Sequence, residues 1–175
     1  FRGLRPLIDK FKPDKAYFIL EGCPKERLEL YPEYKANRKE GLTPDKLIEI
    51  EDFKKQRDII INIMQNFPID IMFHPEFECD DVIANLILNK HRNDQCIVIS
   101  NDTDFIQLYS LHPNVSVYSP VKKDFLLPTE YDYVAWKSLV GDPSDNIKGV
   151  PRVGKKTAET ILSQGILDWL ENNEE

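Results

Sequence analysis

Two groups of carboxylates at either end of one helix-plus-strand unit constrain this chain most. Glu78-Cys79-Asp80-Asp81 precedes an apolar segment with helical spacing, and Asp102-Thr103-Asp104 follows the run Ile97-Val98-Ile99-Ser100. Acids this close repel one another and raise each other's pKa, so a fold that gathers them needs a cation to neutralise them. The pattern reads as a metal site.

At 175 residues, 41% hydrophobic and 30% charged, the chain can bury a real core and fits one domain with room for a small appended module. A formal charge of −7 and a pI near 5.1 argue superficially against a nucleic-acid partner. That argument weakens once the acids are located. Glu78, Asp80, Asp81, Asp102, Asp104, Asp142 and Asp145 together equal the whole deficit, so with cations bound the remaining surface is balanced and its Lys and Arg can form basic patches. The three cysteines, Cys23, Cys79 and Cys96, form no C-x-x-C pair, which fits a reducing compartment. No apolar run approaches the roughly 18 residues of a membrane span, so the expectation is a cytoplasmic protein. The chain starts at Phe1, already inside a helical pattern, which predicts a fragment or a processed product.

Leu4, Leu7, Ile8 and Phe11 predict a helix ended by Lys12-Pro13, and residues 15–20 a buried strand that delivers Glu21-Gly22 at its C-terminal end. Residues 23–42 read as irregular. Thr43 as N-cap and Pro44 at the first helical position open a long helix with Leu47, Ile50, Phe53, Ile60, Ile61, Met64 and Phe67 as its apolar stripe. Strands follow at 69–73 and 96–99, with a helix between them that holds Asp80 and Asp81 in its first turn. Two short strands at 115–118 and 124–127 and a helix from Thr129 to about Val140 come next. Alternating strands and helices predict an α/β domain with a mainly parallel sheet flanked by helices, and in such sheets sites form beyond the carboxyl ends of the strands. Glu21, Glu78–Asp81 and Asp102–Asp104 all fall there. In the stretch 141–154, Gly149 and Gly154 bracket a tight turn before a helix opened by Lys155-Lys156, leaving amides free as a phosphate seat. The acidic tail 171–175 is expected to fray.

Each motif has a plainer reading: first-turn acids favour the helix dipole, and Asp and Asn favour turns. Their combination is more specific. The ordered set Tyr34-Lys35-x-x-Arg38, Glu78-x-Asp80-Asp81, Ser100-x-Asp102-x-Asp104 and Gly141-Asp142-x-x-Asp145-Asn146-Ile147-x-Gly149-Val150-x-x-Val153-Gly154 resembles the 5′-nuclease (flap endonuclease) superfamily. The likeness is to the bacterial and phage-type enzymes and the 5′-nuclease domain of bacterial DNA polymerase I. The resemblance implies a PIN-like nuclease core over residues 1–128, with an arch region at about 31–66, and a helix–three-turn–helix (helix-hairpin-helix) DNA-binding module over 129–175. It implies metal-dependent cleavage of phosphodiesters near the junction of a 5′ flap and duplex DNA, in replication and repair, by a monomer.

On matching positions, the seven acids resemble the family's metal-binding carboxylates, with Glu21 as a further ligand. All-oxygen ligation suits Mg²⁺, with Mn²⁺ able to substitute, and two ions about 4 Å apart could activate water and stabilise the leaving oxygen. Lys35 and Arg38 match residues that face the scissile phosphate. Lys54, Lys55 and Arg57 would lie in the arch helix, and Tyr31 and Tyr34 could stack on a base or pack in the core. Gly149, Val150, Val153 and Gly154, helped by Lys148, Arg152, Lys155 and Lys156, match a hairpin that grips one strand through phosphates, where family members often bind K⁺. Two departures stand out. The family's first strand, with its aspartate ligand, has no counterpart before Phe1, and Glu21-Gly22 replaces the usual Asp-Gly. The competing expectations are a catalytically weak or inactive structure-specific DNA-binding protein of this fold and a PIN-domain ribonuclease, the latter leaving 141–156 unexplained.

Overall fold

A computed structural model describes residues 3–165 together with 168 and 169, the Lys39 side chain apart. The tail at 171–175 lies outside the described residues. The chain divides into two compact units, one formed by residues 1–25 and 41–82 and the other by 26–40 and 83–175.

In the first unit, helix α1 (Leu4–Phe11) stops where Lys12 turns left-handed at φ 45°, its N–H returning to the Ile8 carbonyl. Strand β1 (Tyr17–Leu20) pairs in parallel with β2 (Asp70–Phe73), in register from Tyr17 opposite Asp70 to Leu20 opposite Phe73. Parallel pairing needs a long crossover, and helix α3 (Pro44–Met64) lies within it. The predicted start of α3 holds: Pro44 occupies the first turn and the Thr43 hydroxyl accepts the Lys46 N–H at 3.4 Å. Its apolar stripe departs from expectation. Leu47, Ile50, Phe53 and Ile60 are exposed and only Met64 is buried, because further apolar side chains, Ile48 and Ile59 among them, sit off the stripe and no single face is core-directed.

Helix α4 (Cys79–Asn85) runs across the division between the units and continues as a widened turn over Leu86–Lys90. The second unit holds β3 (Cys96–Ile99), β4 (Val115–Ser119) and β5 (Asp124–Leu126) in the order β3-β4-β5. The first pair is parallel, with a 3₁₀ turn (Thr103–Gln107) and helix α5 (Leu108–Leu111) as its crossover; the second is antiparallel, since the short 120–123 connection permits nothing else. The expected mainly parallel sheet is thus corrected to separate small sheets, with parallel and antiparallel pairs both present. Val117 at zero exposure centres a core of Ile87, Val98, Phe105, Leu108, Val115 and Leu126. Each such side chain contributes about 1.5–3 kcal/mol by leaving water.

Helix α6 (Tyr133–Val140) begins four residues later than predicted. The Asp132 carboxylate accepts the Val134 and Ala135 N–H groups at 2.9 and 3.0 Å and so sets the start. Strands β6 (Gly141–Asp142) and β7 (Ile147–Lys148) pair antiparallel around a 3₁₀ turn at Pro143–Asp145, and helix α7 (Lys155–Gln164) packs on α6, with Ala158 and Ile161 buried. The segment expected to be irregular carries helix α2 (Lys25–Leu30) and a 3₁₀ turn at Ala36–Lys39. α2 has six residues, of which Leu28 and Leu30 are apolar, so it is too short for a helical period to register in the sequence.

Candidate active site

In the first unit, the parallel pairing of β1 and β2 brings their carboxyl ends side by side. Gly22 makes the approach possible: a Cβ there would sit 2.0 Å from the His74 carbonyl oxygen and 2.2 Å from that of Phe77. Glu21 is thereby carried to the start of α4, where its Oε2 accepts the Cys79 N–H at 3.1 Å. Asp81 reaches back to accept the Glu78 N–H at 3.2 Å, half of a capping box, so two of the helix's orphan donors end on carboxylates. Glu78 is buried, at 3% exposure. The Cys79 thiol donates to Asp80 at 3.2 Å, and burial first, then Glu21 and Asp80, push its pKa up. Glu21, Asp80 and Asp81 thus each bond a backbone or thiol group of Glu78 or Cys79 at this helix N-terminus.

In the second unit, Asp102 caps the 3₁₀ turn after β3 by accepting the Asp104 N–H at 2.9 Å, while its own N–H donates to Ser100 Oγ. Asp104 is held from α6. Tyr133 donates its hydroxyl to Asp104 Oδ1 at 3.0 Å, and one helical turn later Lys137 places its ammonium 3.0 Å from the same oxygen. Lys137 also bonds Asp142 Oδ2 at 2.5 Å, while Asp142 Oδ1 accepts the Ser144 N–H and hydroxyl at 2.9 and 2.6 Å. Burial lowers the Lys137 pKa, but Asp142 and Asp104 outweigh it and the net direction is up. Burial likewise raises that of Asp142, yet Lys137 and Ser144 pull it down to about 2. The local backbone sets this up: Gly141, at φ 79°, and Gly149 pass so closely that a Cβ on Gly141 would lie 2.2 Å from the Gly149 nitrogen.

Asp145 meets the predicted phosphate-facing residues. Tyr34 Oη donates to Asp145 Oδ2 at 3.1 Å, while Arg38 and Lys35 approach Oδ1 at 2.8 and 3.8 Å. Around them Asn37 Nδ2 bonds the Pro143 carbonyl at 2.8 Å, Asn146 Nδ2 that of Glu33 at 2.8 Å, and Tyr31 Oη that of Asn146 at 3.0 Å. Lys35 is left-handed at φ 56°, a conformation non-glycine residues adopt only when their surroundings impose it; here its N–H is fixed on the Asp145 carbonyl at 3.0 Å. Tyr34 is 8% exposed, packed beside Arg27 and Lys35.

The predicted DNA contacts lie on exposed surface: Lys148, Arg152, Lys155 and Lys156 around the start of α7, where Gly154 offers no side-chain cap, and Val150. Val153 and Gly149 are partly buried, and Gly154 is exposed. Lys54 and Lys55 are exposed on α3, the latter 3.3 Å from Asp52. Lys137, Tyr133 and Ser144 went unnoticed in the sequence. Their signal was the four-residue spacing of Tyr133 and Lys137 just before Gly141-Asp142, obscured because Lys137 interrupts an apolar run.

Among the described residues, no three His, Cys, Asp or Glu side chains stand ready to enclose an ion. The donor chemistry nevertheless fits a hard divalent cation, since oxygens of Asp104 and Asp142 already converge on one positive centre, the Lys137 ammonium. No helix among the described residues is long and apolar enough to cross a membrane.

Residues 1–136 match the family described as "5′-3′ exonuclease, N-terminal resolvase-like domain". The chain is 38% identical to DNA polymerase I of Mycobacterium tuberculosis over 163 residues, 84% of this chain and 17% of that protein. It is 34% identical to a 5′-3′ exonuclease of Buchnera aphidicola, covering 97% of this chain and 57% of that one. Among solved structures, the T5 5′-exonuclease with divalent metal ions (zinc) bound superposes with a TM-score of 0.80 at 26% identity, over 97% of this chain and 68% of that chain. A pseudo-enzyme–product complex of the bacteriophage T5 flap endonuclease with DNA and metal ions has the same α/β fold, with a TM-score of 0.78 at 24% identity. The chain therefore spans only part of the curated relatives it matches, and by its resolvase-like α/β domain it belongs to the 5′-3′ exonuclease family.

Proposed function

We propose that this chain is the nuclease portion of a structure-specific 5′-3′ exonuclease and flap endonuclease that hydrolyses DNA phosphodiesters near single-strand/duplex junctions, in the cytoplasm of a bacterium or phage-infected cell. The observation that carries the reading is the convergence of Asp104 and Asp142 on a single cationic centre, within a chain whose family relatives include a divalent-metal-bound phage exonuclease. Glu21, Glu78, Asp80, Asp81, Asp102, Asp104, Asp142 and Asp145 are the proposed metal-holding acids, directly or through water. When bound, a pair of Mg²⁺ ions supplies a low-pKa water and neutralises charge on the phosphodiester. The chain's own part is to hold those acids in place and to present Lys35 and Arg38 to the phosphate, which requires both to exchange Asp145 for substrate.

Residues 129–175 are proposed as the helix-hairpin-helix module that follows the 1–128 core, gripping duplex phosphates with Lys148, Arg152, Lys155 and Lys156 and with hairpin amides from Gly149 to Gly154. K⁺ on the hairpin carbonyls and Mn²⁺ in place of Mg²⁺ are part of the same proposal, as is action by a monomer. Cleavage of a 5′-end-labelled flap duplex with Mg²⁺ or with EDTA tests the reading. Metal-dependent cutting near the junction is expected. Asp102→Asn and Asp81→Asn should abolish cutting while flap binding persists; binding by the unmodified chain without cutting would instead favour an inactive junction-binding protein.

A further inference from the structure

Lys137 occupies the position between Asp104 and Asp142 that a divalent cation using the same oxygens would claim. Its ammonium lies 3.0 Å from Asp104 Oδ1 and 2.5 Å from Asp142 Oδ2. Two like-charged groups on separate segments would otherwise repel, and a positive charge at this distance from both offsets that repulsion. Each acid also has an anchor independent of Lys137. Tyr133 donates to Asp104 Oδ1 at 3.0 Å, and Ser144 gives Asp142 Oδ1 both its N–H and its hydroxyl. The acids are therefore not held by Lys137 alone, and they keep their orientation when it leaves. The lysine side chain can leave, for its long stem is flexible and it is 27% exposed.

We propose that Lys137 is a positioning residue that acts as an internal counter-ion: it holds the Asp104–Asp142 pair in the absence of metal and is displaced as a divalent cation binds, so that it sets the metal concentration at which the pair fills. The proposal rests on the metal-dependent nuclease reading. It makes metal binding an exchange of one cation for another, in which the cost of expelling the ammonium is subtracted from the affinity.

Calorimetric titration of the whole chain with Mn²⁺, without DNA, tests it directly. Lys137→Met should bind Mn²⁺ about tenfold more tightly than the wild type, because the competing charge is gone, and Lys137→Arg should restore wild-type affinity. Without metal, Lys137→Met should melt at a lower temperature than the wild type and recover the difference at saturating Mn²⁺, a reversal that a merely structural ion pair would not produce. Equal or weaker Mn²⁺ affinity in Lys137→Met overturns the proposal. A wild-type measurement guards against a variant that fails to fold: with ¹⁵N-labelled lysine, the Lys137 ammonium resonance should move to the position of an exposed lysine as Mg²⁺ is added. An unmoved resonance at saturating Mg²⁺ also overturns it. Unchanged affinity alongside intact metal-dependent cutting would sink this proposal alone, whereas a wild-type chain that neither binds Mn²⁺ nor cuts flap DNA would sink both.

Discussion

Asp142 shows how a single carboxylate is shaped by its neighbours. Burial alone would raise its pKa, but the Lys137 ammonium and the paired Ser144 donors hold it at about 2. A folded value below the unfolded one means that its stabilising contribution is complete above about pH 4 and is lost as the pH falls towards 2. Solvent screening keeps this contribution on the order of 1 kcal/mol. Asp142→Asn should therefore flatten the melting temperature against pH between about 4 and 2 relative to wild type; an unchanged acid limb would show that other groups set it. Tyr109 offers a second test. Its hydroxyl donates to the Leu126 carbonyl at 2.6 Å and accepts the Val117 N–H at 3.0 Å, bridging facing residues of β4 and β5 beside the most buried side chain of the core. Tyr109→Phe strands both backbone groups and should cost about 1–3 kcal/mol in urea unfolding. The types and spacing of Asp104, Asp142 and Asp145 were legible in the sequence because acids in these motifs are unusual. Their partners were not, because Lys137 and Tyr133 acquire meaning only when α6 brings them to Asp104.

At the scale of elements, local signals were reliable wherever chemistry acts within a few residues. Thr43-Pro44 marked the start of α3, and short runs rich in apolar, aromatic and β-branched residues marked β1 to β4. Boundaries set by side-chain capping, such as Asp132 at α6, and helices too short for a helical period, such as α2, escaped that logic. The turn from α6 into β7 depends on two glycines rather than on any periodic pattern. At Gly149 a Cβ would lie 2.2 Å from the Val140 carbonyl oxygen, so Gly149→Ala must push β7 away from the end of α6. That substitution is expected to lower stability by about 1–3 kcal/mol and to weaken flap-DNA binding at least as much as Arg152→Ala does. A melting curve together with a fluorescence-anisotropy titration would check both; wild-type values in each would mean that the turn tolerates the shift.

For the whole molecule, the net charge of −7 conceals an uneven distribution. Lys148, Arg152, Lys155 and Lys156 stand exposed within one short stretch, while the acids are drawn into clusters and ion pairs. If these four cations each neutralise one duplex phosphate, the logarithm of flap-DNA affinity should fall against the logarithm of salt with a slope of about −3 to −4. Replacing all four with Ala should remove most of that slope, and a salt-independent affinity in the unmodified chain would refute the phosphate-gripping role. The sequence by itself determined the α/β alternation, the carboxylate motifs and the family to which they belong, because these depend on residue type and spacing along the chain. Tertiary structure alone decided that most of the predicted α3 stripe is exposed while Met64 is buried, that Asp145 is held by Tyr34, Lys35 and Arg38, and that Asp104 and Asp142 share Lys137. Each of those outcomes depends on which distant segments meet, and that is decided by core packing, backbone close approach and pairing of buried charge.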